Sequence, residues 1–268
     1  MQRLLLALLL CPLTVAAQST LNDLDGDGCV GATDILIILG QYGECNDTTT
    51  AFACGDSVLF DNYWYETVLI GDQCWFAENL RTTVYENGDL IPAWLTGGEW
   101  VSTTTGASSV YGETGICDTG PCDPEQSLAA FGRLYNWYAV DDTRNLCPTG
   151  WHVPTSGEWA GLQDYITSQG FAGTEGTALK ADFGWINADV GGPGNGTDNF
   201  GFTGLPGGAR YPDQNGFFGE IDLVGYWWDS TPGLGSSSNA IMLTGFFETV
   251  LNGGSSRNFG FSVRCIQD

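Results

Sequence analysis

The sequence predicts an α+β chain that is rich in loops, with few helices, short antiparallel strands and a small loop-helix unit near the N-terminus. Three observations predict it. Glycine supplies 39 of 268 residues, which favours long turns between short elements. Aromatic residues reach 13% and gather in runs of β-formers such as Tyr63-Trp64-Tyr65-Glu66-Thr67-Val68-Leu69-Ile70. One helix start is fully signalled at Thr155-Ser156-Gly157-Glu158, a capping box in which Thr155 caps and Glu158 reaches back.

The chain opens Met1-Gln2-Arg3, runs apolar over residues 4–10 and reaches Ala16-Ala17. A basic start, a short apolar core and small residues before a cut predict a secretory signal peptide over residues 1–17. The apolar run is shorter than the roughly 20 residues a membrane span needs. Leu9-Leu10 before Cys11 are not the small residues of a lipoprotein signal. No later segment is long and apolar enough to cross a bilayer, so no membrane insertion is expected. The protein is expected to be secreted, extracellular or held at the cell surface.

Residues 23–34 run Asp23-Leu24-Asp25-Gly26-Asp27-Gly28-Cys29-Val30-Gly31-Ala32-Thr33-Asp34. Carboxylates stand at loop positions 1, 3, 5 and 12, with glycine at 6. This spacing wraps oxygen ligands around one hard cation, Ca²⁺. Asp23, Asp25 and Asp27 would each supply a side-chain oxygen, Cys29 its backbone carbonyl, and Asp34 would close the site. A water would take the place opposite Gly31. The alternative is an acidic turn that binds nothing, but its carboxylates would repel one another without a cation. Ile35-Leu36-Ile37-Ile38-Leu39-Gly40 then reads as a short apolar helix with a glycine stop. A calcium loop ending in Asp and leading into such a helix, with none before it, resembles a dockerin type I repeat. Dockerins that bind cohesins carry two repeats, and no second Asp-x-Asp-x-Asp-Gly run occurs here. The resemblance implies Ca²⁺ as cofactor over residues 18–47. A single repeat does not carry a cohesin-like partner with it.

Nine cysteines become eight once Cys11 leaves with the signal, an even number that favours disulfides in a secreted chain. Their spacing suggests Cys29–Cys45, Cys54–Cys74, Cys117–Cys122 and Cys147–Cys265. Zinc is the poorer explanation, because no Cys-x-x-Cys pair exists and His152 is the only histidine.

Residues 48–53 read as a linker and residues 54–268 as one domain. In that domain residues 63–70 read as a strand, Gly71-Asp72 as a turn, and Cys74-Trp75-Phe76-Ala77 as the start of the next strand. Residues 96–125, rich in Gly, Ser and Thr, read as an irregular excursion. Residues 134–140 fit either a short helix or a strand. After the capping box, Trp159, Leu162 and Ile166 recur at helical spacing and Gly170 stops the run. Residues 189–216 are glycine-rich and read as long loops. Residues 225–228, 240–243 and 260–265 read as buried strands.

Several of these segments carry a family resemblance. They are Thr67-Val68-Leu69-Ile70-Gly71-Asp72-Gln73-Cys74-Trp75-Phe76-Ala77-Glu78-Asn79-Leu80-Arg81, Gly132-Arg133-Leu134-Tyr135-Asn136-Trp137-Tyr138-Ala139-Val140, Leu146-Cys147-Pro148-Thr149-Gly150-Trp151-His152-Val153-Pro154-Thr155, and Glu158-Trp159. Gly201-Phe202-Thr203-Gly204-Leu205-Pro206-Gly207-Gly208-Ala209-Arg210, Gly225-Tyr226-Trp227-Trp228-Asp229-Ser230-Thr231 and Gly260-Phe261-Ser262-Val263-Arg264-Cys265 complete the set. In order and spacing they resemble the Fibrobacter succinogenes major paralogous domain. That resemblance implies a secreted or surface protein of bacteria and brings no established activity. More distantly, the Pro-Thr-x-x-Glu-Trp helix start, the Gly-Gly-x-Arg segment and the closing Gly-Phe-x-Val-Arg strand resemble formylglycine-generating-enzyme-like domains. Those domains belong to the C-type-lectin-like fold, which implies a loop-rich domain closed by paired terminal strands. Neither relative's chemistry carries over. The lectin motifs Glu-Pro-Asn, Gln-Pro-Asp and Trp-Asn-Asp are absent, with Trp228-Asp229-Ser230 only a partial likeness. The oxidase's reactive cysteine pair is reduced to Cys265.

The formal charge is -24, with 32 acidic residues against 8 basic. That disfavours nucleic acid, which demands basic surface. His152 is a candidate catalytic base, or a buried histidine held by hydrogen bonds. Asp141, Asp142, Asp198, Glu220 and Asp229 are candidate hydrolytic carboxylates, although 32 acids always supply a pair. Asn195-Gly196-Thr197-Asp198-Asn199 is either a second Ca²⁺ loop or a plain turn. Trp75, Trp137, Trp151, Trp159, Trp227 and Trp228 are expected in the core. Trp94, Trp100 and Trp185 lie in looser segments and are the candidates for an exposed platform that stacks on sugar rings, with core packing the alternative. The reading is a calcium-binding, non-catalytic binding or adhesion protein for polysaccharide or a cell-surface glycan. Two alternatives stand beside it. One is an enzyme or accessory factor of extracellular polysaccharide degradation, docked through its calcium repeat. The other is a structural surface protein.

Overall fold

A computed structural model describes residues 52–268, except 119, 121, 187–193 and 214. The signal peptide, the calcium loop with Asp23, Asp25, Asp27, Cys29 and Asp34, and the Cys29–Cys45 pair lie outside the described residues. The chain divides into two compact units, Met1–Phe52 and Ala53–Asp268. The second is a mixed α+β domain of short strands and few helices.

The run 63–70 is not one strand. It divides at Glu66 into β2 (Tyr63–Tyr65) and β3 (Thr67–Ile70). β2 pairs back onto β1 (Val58–Phe60), whereas β3 pairs forward onto β4 (Gln73–Phe76). Glu66 is where the chain changes partner. The turn between β3 and β4 is the expected one: Ile70 faces Gln73, and Gly71 takes φ +68°, a value that glycine adopts without a Cβ penalty. The supposed excursion at 96–125 contains a helix, α1 (Gly97–Ser102), whose cap is a second capping box formed by Thr96 and Glu99. It also contains β5 (Ser108–Ser109) and the start of α2 (Pro124–Phe131). Residues 134–140 are both strand and helix. β6 (Leu134–Tyr135) pairs with β5, and then the Asn136 side chain accepts from the Ala139 N–H and starts α3 (Trp137–Val140).

β7 (Trp151–His152) precedes α4 (Ser156–Ile166), which starts on the predicted Thr155–Glu158 box. A π-helical turn, Thr167–Phe171, ends it, with Gly170 at φ +98°. α5 (Glu175–Leu179) follows. The main sheet then assembles from β8 (Gly207–Arg210), β9 (Phe218–Ile221), β10 (Val224–Pro232), β11 (Ser237–Thr244) and β12 (Leu251–Ser256). Its order is β12-β11-β10-β8-β9, antiparallel except for β10 beside β8. A second sheet has the order β3-β4-β13-β7, closed by β13 (Ile266–Gln267). Residues 260–262, expected as a strand, are buried and extended but make single bridges to three separate partners. Gly260 meets Arg210, Phe261 meets Tyr135 and Ser262 meets Trp227. One segment thus ties the main sheet to β6 without forming a ladder.

Side chains alternate across a strand, and the two sheets use this to build two large cores. On β10, Trp227 and Trp228 enter different clusters, as Trp75 and Phe76 do on β4. One cluster holds Tyr65, Phe76, Trp137, Trp151 and Trp228. The other holds Trp75, Trp159, Leu162, Phe202 and Trp227, and it buries the apolar face of α4. Both faces of β10 are covered over its first half, which reads Val224-Gly225-Tyr226-Trp227-Trp228 without polar alternation. Disulfides join Cys54 to Cys74, Cys117 to Cys122 and Cys147 to Cys265, as the spacing suggested. Among the described residues no helix is long and apolar enough to cross a membrane.

Candidate functional site

The capping box at the start of α4 determines where Ser156 lies. Thr155 and Glu158 satisfy the helix start between them: the Glu158 carboxylate accepts from the Thr155 N–H at 2.7 Å and from its hydroxyl at 2.8 Å. The Ser156 hydroxyl is left to donate to Asp229 Oδ2 on β10. Asn239 on β11 donates its amide to Ser156 Oγ at 3.3 Å. Asp229 is 1% exposed, and its other oxygen accepts from the Thr231 N–H at 2.7 Å. The Ser156 N–H donates to Thr231 Oγ1 at 2.9 Å, fastening the helix to the strand.

Ser156, Asp229 and Asn239 line a groove of about 410 Å³ between α4 and strands β10, β11 and β12. Its polar side chains are Ser156, Gln163, Asp164, Asp229, Asn239 and Asn252. Gly253 and Gly254 contribute bare backbone on β12, the outer strand of the sheet. A Cβ at Gly253 would meet nothing, so this side of the groove is open. Carboxylates and amides side by side, next to unhindered strand backbone, accept from and donate to hydroxyl groups. The groove has the size and the converging polar groups of a small-molecule site.

The predicted tryptophan platform is corrected in two of its three members. Trp94 is 67% exposed, but Trp100 and Trp185 are buried. The Trp100 indole N–H donates to the Asn258 carbonyl at 2.8 Å, and its ring lies under the Arg210 guanidinium. The Trp185 indole N–H donates to the Gly204 carbonyl at 3.0 Å. Both rings are closed to a ligand. The six tryptophans expected in the core are there. Sequence reasoning missed Trp64, which is 59% exposed and pairs across the β1–β2 hairpin with exposed Leu59.

His152 is partly exposed and not buried. Its Nδ1 lies 2.6 Å from Asp268 Oδ1 and its Nε2 2.8 Å from Glu158 Oε1. Both ring nitrogens face carboxylates, not a nucleophile. Of the carboxylate candidates, only Asp229 reaches the groove. Asp142 is paired with Arg144, whose hydrogen bond holds its carboxyl below the usual range against a smaller effect of burial. Asp198 accepts from the backbone and hydroxyl of Thr203, and Glu220 accepts from the Tyr226 hydroxyl. Around Asp198, the Thr197 hydroxyl donates to Asn199, and the Asn195 side chain accepts from the Trp185 backbone N–H.

A disulfide-bridged α+β domain with a polar groove between helix and sheet is the class these features define. The chain belongs to the Fibrobacter succinogenes major domain family, whose model matches residues 68–267. No curated protein and no solved structure matches it.

Proposed function

We propose that this chain is a secreted, calcium-binding, non-catalytic recognition protein for polysaccharide or a surface glycan, and that the α4–β12 groove is its ligand site. The observation that carries this reading is the groove itself, in which Asp164, Asp229, Asn239 and Asn252 converge beside an open glycine strand. Three disulfides in one domain favour an oxidising, extracellular setting. The few helices, the short strands and the Cys147–Cys265 bridge beside the last strand support a C-type-lectin-like frame. The Asp23–Asp34 pattern supports a dockerin-like repeat that binds Ca²⁺ and serves as spacer or docking element.

The test is a glycan array probed with the secreted chain, with and without Ca²⁺, alongside an Asn239→Ala/Asn252→Ala double variant. Binding by the wild type that the double variant loses supports the reading. A wild type that binds no glycan overturns it. A second reading, glycoside cleavage, has one observation in its favour: Asp164 and Asp229 line the same groove. Against it, both oxygens of Asp229 are already engaged by Ser156 and Thr231.

A further inference from the structure

Trp94 is the one tryptophan held in a left-handed backbone conformation, at φ +59°. That region is an outlier for a bulky side chain and persists only where surrounding structure enforces it. The enforcement is visible. Arg210 is fully buried and reaches three loops. Its Nη2 donates to the Leu95 carbonyl at 2.7 Å, its Nη1 to Glu113 at 2.7 Å, and its Nε to the Gly216 carbonyl at 3.2 Å. Trp100 and Phe218 lie against its guanidinium. Gly97 packs so tightly on Asn215 that a Cβ there would fall 1.6 Å from the Asn215 carbonyl oxygen. The Thr96–Glu99 capping box fixes the next residues. The backbone at Trp94 is thus locked by its neighbours in chain, yet the residue is 67% exposed.

Beside that ring is a cavity of about 300 Å³ lined by Trp94, Leu95, Thr96, Gly97, Glu113 and Thr114. Glu113 brings no free charge to it, because one oxygen accepts from Arg210 and the other from the Val110 N–H at 2.9 Å. The volume lies at the low end of the ~300–1,000 Å³ of small-molecule pockets, enough for one ring. A flat, rigid apolar face beside a small cavity with threonine groups suits a ring with one C–H face and hydroxyl edges. The charge of -24 selects against anionic rings.

We infer that Trp94 and the cavity beside it form a second subsite, separate from the groove, that stacks on the C–H face of a neutral pyranoside unit. This rests on the glycan-binding reading above and adds a second point of contact for the same polymer. The strained backbone is the means by which the ring is presented before the ligand arrives.

The experiment is affinity electrophoresis of the secreted chain through gels containing xyloglucan, mixed-linkage β-glucan or galactomannan, with thermal melts of each variant. The variants are Trp94→Gly, Trp94→Ala, Trp64→Ala and the groove double variant. Trp94→Gly relieves the left-handed strain, so its Tm should not fall. Its affinity should drop by about tenfold or more, the scale of losing an aromatic anchor, with Trp94→Ala alike and Trp64→Ala unchanged. Wild-type affinity retained by both Trp94 variants, while the groove variant loses it, overturns this inference and leaves the glycan reading standing. An equal loss in Trp64→Ala also overturns it, because any exposed tryptophan would then serve. A wild type retarded by none of the three polymers overturns both.

Discussion

The Arg264 guanidinium donates to the side-chain oxygen of Asn79 at 2.8 Å, joining residues 185 positions apart in the chain. Arg264 is buried, and among the described residues no carboxylate forms an ion pair with it. It instead meets Asn79 and the Phe202 carbonyl and stacks 4.1 Å from the Phe202 ring. Burial pushes its pKa down to about 9. The same Asn79 oxygen accepts from the Trp227 indole N–H at 2.8 Å, while its amide donates to the Phe131 carbonyl at 3.0 Å. One amide therefore satisfies a charge, an indole and a helix end inside the core.

Removing that amide leaves two buried donors without an acceptor. Asn79→Ala should destabilise the fold by about 2–4 kcal/mol, since a stranded donor costs ~1–3 kcal/mol and a charged one more. Chemical denaturation measures this. A change under about 0.5 kcal/mol, the range of surface substitutions, would show that Asn79 is not the hub.

The three bridges close loops of very different length, with sequence separations of 118, 20 and 5. Loop-closure entropy grows with loop length. Loss of Cys147–Cys265 should therefore cost most, in the range of ~2–5 kcal/mol, and loss of Cys117–Cys122 least. Cys-to-Ser pairs at each bridge, compared by denaturant midpoint, check the order. Equal effects for the longest and shortest loops would refute the entropic account.

What the sequence made legible was local. The Thr155–Glu158 box, the Gly71-Asp72 turn and the three described cysteine pairs each depend on short spacings or on counting. The Thr96-Gly97-Gly98-Glu99 box was equally local but hidden by its glycines, which read as loop. Asn136 in the middle of 134–140 was the available sign that a strand gives way to a helix. Trp64 was findable by period two, since Tyr65 beside it is buried and neighbours on a strand face opposite ways. Trp100 and Trp185 could not be placed, because their partners at Asn258 and Gly204 are set by tertiary packing. The groove was illegible for the same reason. Ser156, Asp229, Asn239 and Asn252 come from a helix start and three strands, and no motif joins them.

His152 gives a pH dependence with a defined sign. Burial opposes its charged form, but hydrogen bonds to Asp268 and Glu158 outweigh burial and raise its pKa above 6.5. Glu158 is likewise opposed by burial, yet Thr155 and His152 hold its pKa below 4.5. The stabilisation from a charged His152 is complete below 6.5 and fades as pH rises through the higher folded value. That from Glu158 is complete above 4.5 and fades as pH falls through the lower folded value. The pair contributes most between pH 4.5 and 6.5. Solvent screening at this partly exposed site keeps the effect small, about 1–3 °C in Tm between pH 6 and 8. His152→Gln should flatten that slope. An unchanged slope in the variant would assign it to other groups.

Truncation separates the proposed calcium repeat from the large domain. The proposed Ca²⁺ ligands Asp23, Asp25, Asp27 and Asp34 all fall within residues 23–34. Among the described residues of the large unit, no group of three His, Cys, Asp or Glu side chains is placed to hold a metal ion. Calcium titrated calorimetrically into the secreted chain should therefore bind in the range of about 10⁻⁴–10⁻³ M, as extracellular loops of this type do. Asp27→Ala removes a central ligand and should abolish the heat. Residues 53–268, which carry their own two cores and three disulfides, should fold alone, give no calcium heat and keep the glycan binding of the full chain. Equal heat from wild type and Asp27→Ala would overturn the calcium loop. Glycan binding lost on truncation, with the melt of 53–268 intact, would show that the small repeat takes part in recognition and is not only a spacer or docking element.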